Sequence, residues 1–298
     1  MRSMLLAVLM AAPLMASADS LGAITILEGQ ALLYRGTGRL HAAEGVRLVP
    51  GDIVETAPAT FVQLELADQS VAQFGPATRV MFSGSGPRQK PERWMHVLDG
   101  WVKLIRAKQE AAPTPGFELR SPFFDIPPSP SVVVLHATSG GAELFLESGG
   151  VRLAERQRAG SETAALTLKA GDYYQRKFPA RGTVTAAASP PFAADMPRSF
   201  RDSLPLRIDR FRERAVPPKD APAFAYADVA PWLQSEPAIR RPLMQRWRSK
   251  AQEPAFRAAL VSNLSAHPEW DPILFPEKYR PKDPPTPKST AAASPASR

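Results

Sequence analysis

Four histidines, His41, His96, His136 and His267, come first among the reactive side chains of this 298-residue chain, because it contains no cysteine. No H-x-H or H-E-x-x-H spacing joins any two of them, so no local pair is set to ligate a metal. The nucleophile signatures G-x-S-x-G and S-x-x-K are also missing. Asp52 and Asp68 are the candidate carboxylates for acid–base work on a polysaccharide. For that chemistry they would have to meet in one cleft with Glu143, His96 or His136. Each aspartate also stands where a turn favours Asp, whose side chain bonds back to the nearby backbone. Gly36-Thr37-Gly38 and Gly84-Ser85-Gly86 lack the strand-to-helix setting of a phosphate loop and read as turns. The expectation is a protein without catalytic residues, cofactor or metal, and not an enzyme.

The aromatic residues point to binding. Trp94 and Trp101 bracket Asp99-Gly100, and Asp-Gly between two apolar runs predicts a hairpin. On adjacent strands the two rings would stack on a sugar or a partner peptide, or fill the core. Farther on, Trp232, Trp247 and Trp270 alternate with Arg240, Arg241, Arg246 and Arg248. Basic groups around aromatic rings suit an anionic partner through cation–π contact. The competing reading packs those tryptophans inward and leaves the arginines solvated. Trp94, Trp101, Arg240, Arg241 and Trp247 are the candidate partner contacts.

These groups are positioned by segments of different character. Residues 1–18 combine Arg2, an apolar stretch from Met4 to Met15 and Ala16-Ser17-Ala18, the pattern of a secretory signal cleaved near Ala18. The stretch is too short to span a bilayer. Export without cysteine suits the periplasm. Residues 19–184 read as β throughout. Val62, Leu64 and Leu66 alternate with Gln63 and Glu65, which predicts one buried and one wet face. Asp68-Gln69-Ser70 and Gly75-Pro76 punctuate the strands. Residues 185–198 are rich in Ala, Ser and Pro and read as a linker. Residues 199–280 form a basic helical region: Phe256, Leu260 and Leu264 make one helical stripe, and a preceding helix carries Leu243, Met244 and Trp247. Pro237 and Pro242 keep those helices short. Residues 281–298 have nothing apolar to bury and read as a disordered tail. The formal charge is +8. From Asp195 onward, 18 Lys and Arg face 12 Asp and Glu, so most of the excess lies in the last third.

An internal echo suggests two similar halves. "VRLVPGDIVET" at 46–56 matches "LTLKAGDYYQR" at 166–176, and "LDGWVKL" matches "ESGGVRL". The β segment also resembles the FecR domain family. The resemblance rests on Gly51-Asp52-Ile53-Val54-Glu55-Thr56, on Val62 through Asp68-Gln69-Ser70, and on Gly75-Pro76-Ala77-Thr78-Arg79-Val80. It continues through Val97-Leu98-Asp99-Gly100-Trp101-Val102 and Phe117-Glu118-Leu119-Arg120-Ser121-Pro122. Gly51, Asp52, Thr56, Asp68, Ser70, Gly75, Pro76, Gly100 and Pro122 are its structural positions. Gln69 replaces the family's usual Gly, and the segment after Pro122 departs from the family pattern. Family regulators carry a cytoplasmic anti-sigma segment and a membrane helix where this chain has its leader, so it is similar to the exported, stand-alone members.

The expected fold is therefore mainly β, a FecR-like sandwich or jelly roll of two similar halves, followed by a small Pro-rich helical region. The expected role is a non-catalytic periplasmic protein that binds an envelope protein or cell-wall polymer, with no nucleic acid and no transmembrane segment in the mature chain. The alternative is a carbohydrate- or small-molecule-binding, even hydrolytic, β-sandwich.

Overall fold

The computed structural model describes residues 20–83, 93–106, 116–156 and 165–280. The expected leader, the expected turn at Gly84-Ser85-Gly86 and the expected tail lie outside them. The described chain is mainly β, with helices toward its C-terminal end, and it divides into two compact units between Ala223 and Phe224.

The first unit begins with β1 (Gly22–Glu28), β2 (Ala31–Arg35), β3 (Gly38–His41), β4 (Arg47–Leu48), β5 (Ile53–Thr56) and β6 (Phe61–Leu66). It continues through β7 (Val71–Phe74), β8 (Arg79–Ser83), β9 (Trp94–Arg106), β10 (Glu118–Arg120), β11 (Phe124–Ile126) and β12 (Ser131–Thr138). The last strands are β13 (Gly141–Glu155), β14 (Leu166–Lys169), β15 (Tyr173–Lys177), β16 (Thr183–Thr185) and the two-residue β17 (Lys219–Asp220). One sheet runs β4-β1-β6-β7-β9-β12-β13-β15-β16. The other runs β17-β3-β2-β5-β8-β9-β10-β11-β13. All pairs are antiparallel except β9 with β10.

Strands β9 and β13 belong to both sheets. The first half of β9 pairs with β8, and its second half pairs with β7 and β12. The Asp99-Gly100 hairpin is thus absent: the chain bends there without reversing, and Gly100 takes φ +92° to make the corner. The side-chain alternation changes phase across the bend. Met95 and Val97 face the core before it, Val102 and Leu104 after it. β13 does the same at Gly149, φ +83°, passing from Leu144 and Leu146 to Val151 and Leu153. Such corners let strands leave one sheet and join the next around a shared core.

That core takes Ile24, Leu33, Val54, Leu64, Phe74, Phe82, Val97 and Leu135, together with Phe117 and Phe124. A second apolar cluster lies on the opposite face of the first sheet. It joins Ile26, Phe61, Trp101, Val134 and Tyr173 to Phe192 and Phe200. Phe192 comes from the segment expected to be a linker, and Phe200 from the start of the expected helical region. Residues 188–211 instead form a strap across this face, containing the short helix α1 (Pro190–Asp195) capped by Ser189. Lys103 Nζ donates to the Phe200 carbonyl at 2.6 Å and Gln63 Nε2 to the Pro205 carbonyl at 3.2 Å. Glu65 accepts from the backbone of Arg207 at 2.7 Å and Ile208 at 3.0 Å. Gln63 and Glu65 are therefore buried, and the predicted wet face of β6 is covered. Gln63 and Glu65 both bond to the strap's backbone, which is why the polar alternation of β6 survives burial.

The second unit contains α2 (Tyr226–Leu233), α3 (Pro237–Arg246), α4 (Pro254–Ser262) and α5 (Asp271–Leu274). Pro237 and Pro254 sit in first turns, where a missing N–H costs nothing. Trp232, Trp247 and Trp270 are fully buried with Leu243, Phe256 and Leu260. Lys250 lies 4.7 Å from the centre of the Phe224 ring and is neutralised by Glu253 at 2.7 Å. Among the described residues no helix is long and apolar enough to cross a membrane.

Candidate functional site

The motif residues converge on turns and corners. Asp52 is 1% exposed, with both carboxylate oxygens engaged. Arg35 binds it in a fork at 2.9 and 2.6 Å, and the Val49 N–H donates to Oδ2 at 2.9 Å. Gly51 precedes it at φ +89° and donates to the Phe82 carbonyl at 2.8 Å. The same geometry recurs at Gly171-Asp172. Gly171 has φ +90° and donates to the Leu146 carbonyl at 2.8 Å, while Lys169 N–H donates to Asp172 Oδ2 at 2.9 Å.

Thr56, Thr78, Gly75 and Gly100 build the corner beside β9. Thr56 Oγ1 donates to the Gly75 carbonyl at 2.7 Å and accepts from Thr78 N–H at 2.8 Å. Thr78 Oγ1 accepts from Trp101 N–H at 3.0 Å. Pro76 lies between the two glycyl and threonyl anchors, where its fixed φ suits a turn. Ser121 Oγ accepts from Phe123 and Phe124 at 3.2 and 3.1 Å, closing the turn that contains Pro122. Thr56, Thr78 and Ser121 thus spend their hydroxyls on backbone groups.

Asp68 accepts from the backbone and hydroxyl of Ser70, an Asx turn whose middle residue, Gln69, has φ +63°. A side chain in this left-handed region costs about 1–2 kcal/mol, and glycine does not bear that cost. Gln69→Gly is expected to stabilise the chain by about 1 kcal/mol, less the greater freedom glycine has when unfolded. Thermal unfolding would show a rise in Tm; an unchanged or lower Tm would mean that side-chain contacts of Gln69 offset the strain.

The five groups proposed for hydrolysis do not share a cleft. His96 is fully buried, and its pKa is lowered to about 3 by burial and by the charges of Arg156 and Arg120. Only His136 and Glu143 are bonded to one another, at 3.2 Å. They belong to a row crossing four strands by register: Trp101, His136, Glu143, Gln175. Trp101 stacks on the His136 ring at 4.1 Å and 7°. Glu143 also accepts from Tyr173 Oη and, at 2.9 Å, from Gln175. The bond to His136, with help from Tyr173 and Gln175, holds its carboxyl below the usual range against the effect of burial. Burial and Glu143 push the Tyr173 phenol up to about 12. With three hydrogen-bond partners and its carboxyl held below the usual range, Glu143 is a weak base, and the row ties four strands together. The sequence offered a signal for it, since His136 and Glu143 are equidistant from the tight Ser139-Gly140 turn.

Among the candidate partner contacts, Trp94 is half-buried with the Arg120 guanidinium 5.3 Å from its ring centre. Trp94 and Trp101 lie in different sheets, so they form no pair. Trp101 is 8% exposed, and Trp247 is wholly core, which removes it as a surface contact. Arg240 is committed to Glu269 in a fork at 2.9 Å on each arm. Arg241 is exposed, with Glu269 at 3.5 Å. His41 is exposed on β3, and His267 is bonded to Tyr226 at 3.0 Å. Among the described residues no cluster of three His, Asp or Glu is disposed to hold a metal. A surface cavity of about 290 Å³ is lined by Arg47, Arg212, Phe211 and Glu65, but both Glu65 oxygens already cap the strap.

The site defines a mainly β protein whose motif acids and hydroxyls hold its own chain. Neither a family model nor a curated protein matches the sequence. Two crystal structures of "a putative anti-sigma factor" from Parabacteroides distasonis are similar at 12% identity and a TM-score of 0.37, over 45% of this chain and 59% of theirs. The chain thus spans less than two thirds of that protein, and likeness this low transfers no function.

Proposed function

We propose that the chain is a non-catalytic periplasmic interaction or sensing protein, built on a FecR-like β domain and binding an envelope protein or cell-wall component. The observation that carries this reading is the use of the motif: Asp52, Asp68, Thr56 and Thr78 are each consumed by backbone or arginine partners. The matched Gly51-Asp52 and Gly171-Asp172 turns support a duplicated β unit. The leader-like first 18 residues support export. The hydrolytic alternative lacks its cleft of converging acids.

Strand addition is the favoured mode of binding. β16 is the outer strand of its sheet, and Thr183, Val184 and Thr185 are exposed, uncharged and β-branched. Natural edges usually carry charge or proline as protection. A photocrosslinking residue at Val184, expressed in intact cells, is expected to give one discrete envelope adduct. Absence of an adduct both there and at Arg241 would overturn the interaction reading.

A further inference from the structure

We propose that the exposed side of residues 198–214, the second half of the strap with the three residues that follow it, is a docking face for an anionic lipid bilayer. This goes beyond the protein or wall partner of the previous section and does not depend on it. The stretch holds six arginines against three acids. Its inner side is spent on the sheet, through Phe200, Leu204 and the bonds from Lys103, Gln63 and Glu65. Arg198, Arg201, Arg210, Arg212 and Arg214 are all exposed. Arg212 pairs with Asp209 at 2.8 Å, but both are more than three-quarters exposed, so the pair binds weakly. Arg198, Arg210 and Arg214 have no carboxylate partner among the described residues.

Leu206 stands among these cations. It is 68% exposed, more than any other large apolar side chain described. A single exposed leucine is ordinary on a protein surface. This one is held out: the carbonyl before it is fixed by Gln63, and the two amides after it are fixed by Glu65. The strap cannot roll to bury Leu206 without breaking three hydrogen bonds to buried side chains. Guanidinium groups match lipid phosphates in a fork, and a projecting leucine reaches the hydrocarbon beneath. An acidic polymer would satisfy the arginines and leave Leu206 in water. Dependence on Leu206 therefore separates the two.

The test uses the chain from Asp19, which keeps every described residue, in co-sedimentation with vesicles. Phosphatidylglycerol–phosphatidylethanolamine vesicles are expected to retain the protein, less so as salt rises, while phosphatidylcholine vesicles do not. Arg210→Glu with Arg214→Glu should lower the partition coefficient at least tenfold. Leu206→Ser should lower it about tenfold on the same vesicles, the effect of withdrawing one leucine from hydrocarbon, and leave retention by immobilised polyglutamate unchanged. Both variants are on exposed side chains, and an unaltered Tm confirms their fold. As a gain of signal, Leu206→Trp should blue-shift its emission on the anionic vesicles. No retention, equal retention by phosphatidylcholine, or indifference to either substitution overturns the proposal.

Discussion

Gly100→Ala is expected to remove about 4 kcal/mol of stability or prevent folding altogether. Two costs add. The residue has φ +92°, where a side chain costs about 1–2 kcal/mol. A Cβ there would also lie 2.4 Å from Thr78 Cα and 2.8 Å from the Ala77 carbonyl. Those are backbone atoms and cannot swing aside, so the corner must open and the Trp101-to-Thr78 bond is lost with it. Gly36→Ala is the control. Its φ is +57°, but nothing lies within 4 Å of the new atom, so only the conformational cost of about 1 kcal/mol remains. Denaturant midpoints of the two variants should differ several-fold in their displacement. Equal displacements would mean that crowding at the corner has no energetic weight.

His96 is expected to make the chain sensitive to acid. Its folded pKa is lowered from 6.5 to about 3, first by burial and then by Arg156 and Arg120. Neither ring nitrogen has a hydrogen-bond partner among the described residues, so nothing in the fold rewards protonation. Below pH 6.5 the unfolded chain binds the proton and the folded chain does not. Stability from this group is therefore complete above 6.5 and is lost progressively as pH falls toward 3. Between about pH 7 and pH 4 the loss is roughly 3 kcal/mol. His96→Leu should remove that slope while keeping the volume of the site. Urea unfolding of both chains across this range gives the difference. Parallel curves would mean that water or a local opening hydrates the ring, and the burial argument would fail.

Much of the β body was legible because its signals are local. The period-two run at 62–66, the Gly-Asp turns and the Asp68-Gln69-Ser70 turn report their roles through neighbours a few residues away. The corner at Gly100 was misread because Asp-Gly asks for the same backbone whether the chain reverses or only bends. What decides is the partner strand, and β7 with β8 follows β9 on both sides of the bend. The apolar phase did not separate the two: a two-residue turn at 99–100 would also place Met95 and Val97 on the same face as Val102 and Leu104. The strap was illegible for a different reason. Phe192 and Phe200 are single apolar residues in Ala-, Pro- and Arg-rich surroundings, with no period to announce a buried face. Their burial depends on Ile26, Phe61 and Trp101, more than ninety positions away. Trp247 went to the core against Phe224, a partner more than twenty positions away that the local run of arginines does not announce.

β9 and β13 also determine how the first unit comes apart. Each is a single stretch of backbone that runs through both layers, so neither layer can slide or fray without pulling on the other. A ligand or mechanical load gripping one layer would be felt by the opposite layer through continuous covalent chain. Damage to the unit should consequently spread as a single event, with no half-dismantled form in which one layer survives alone.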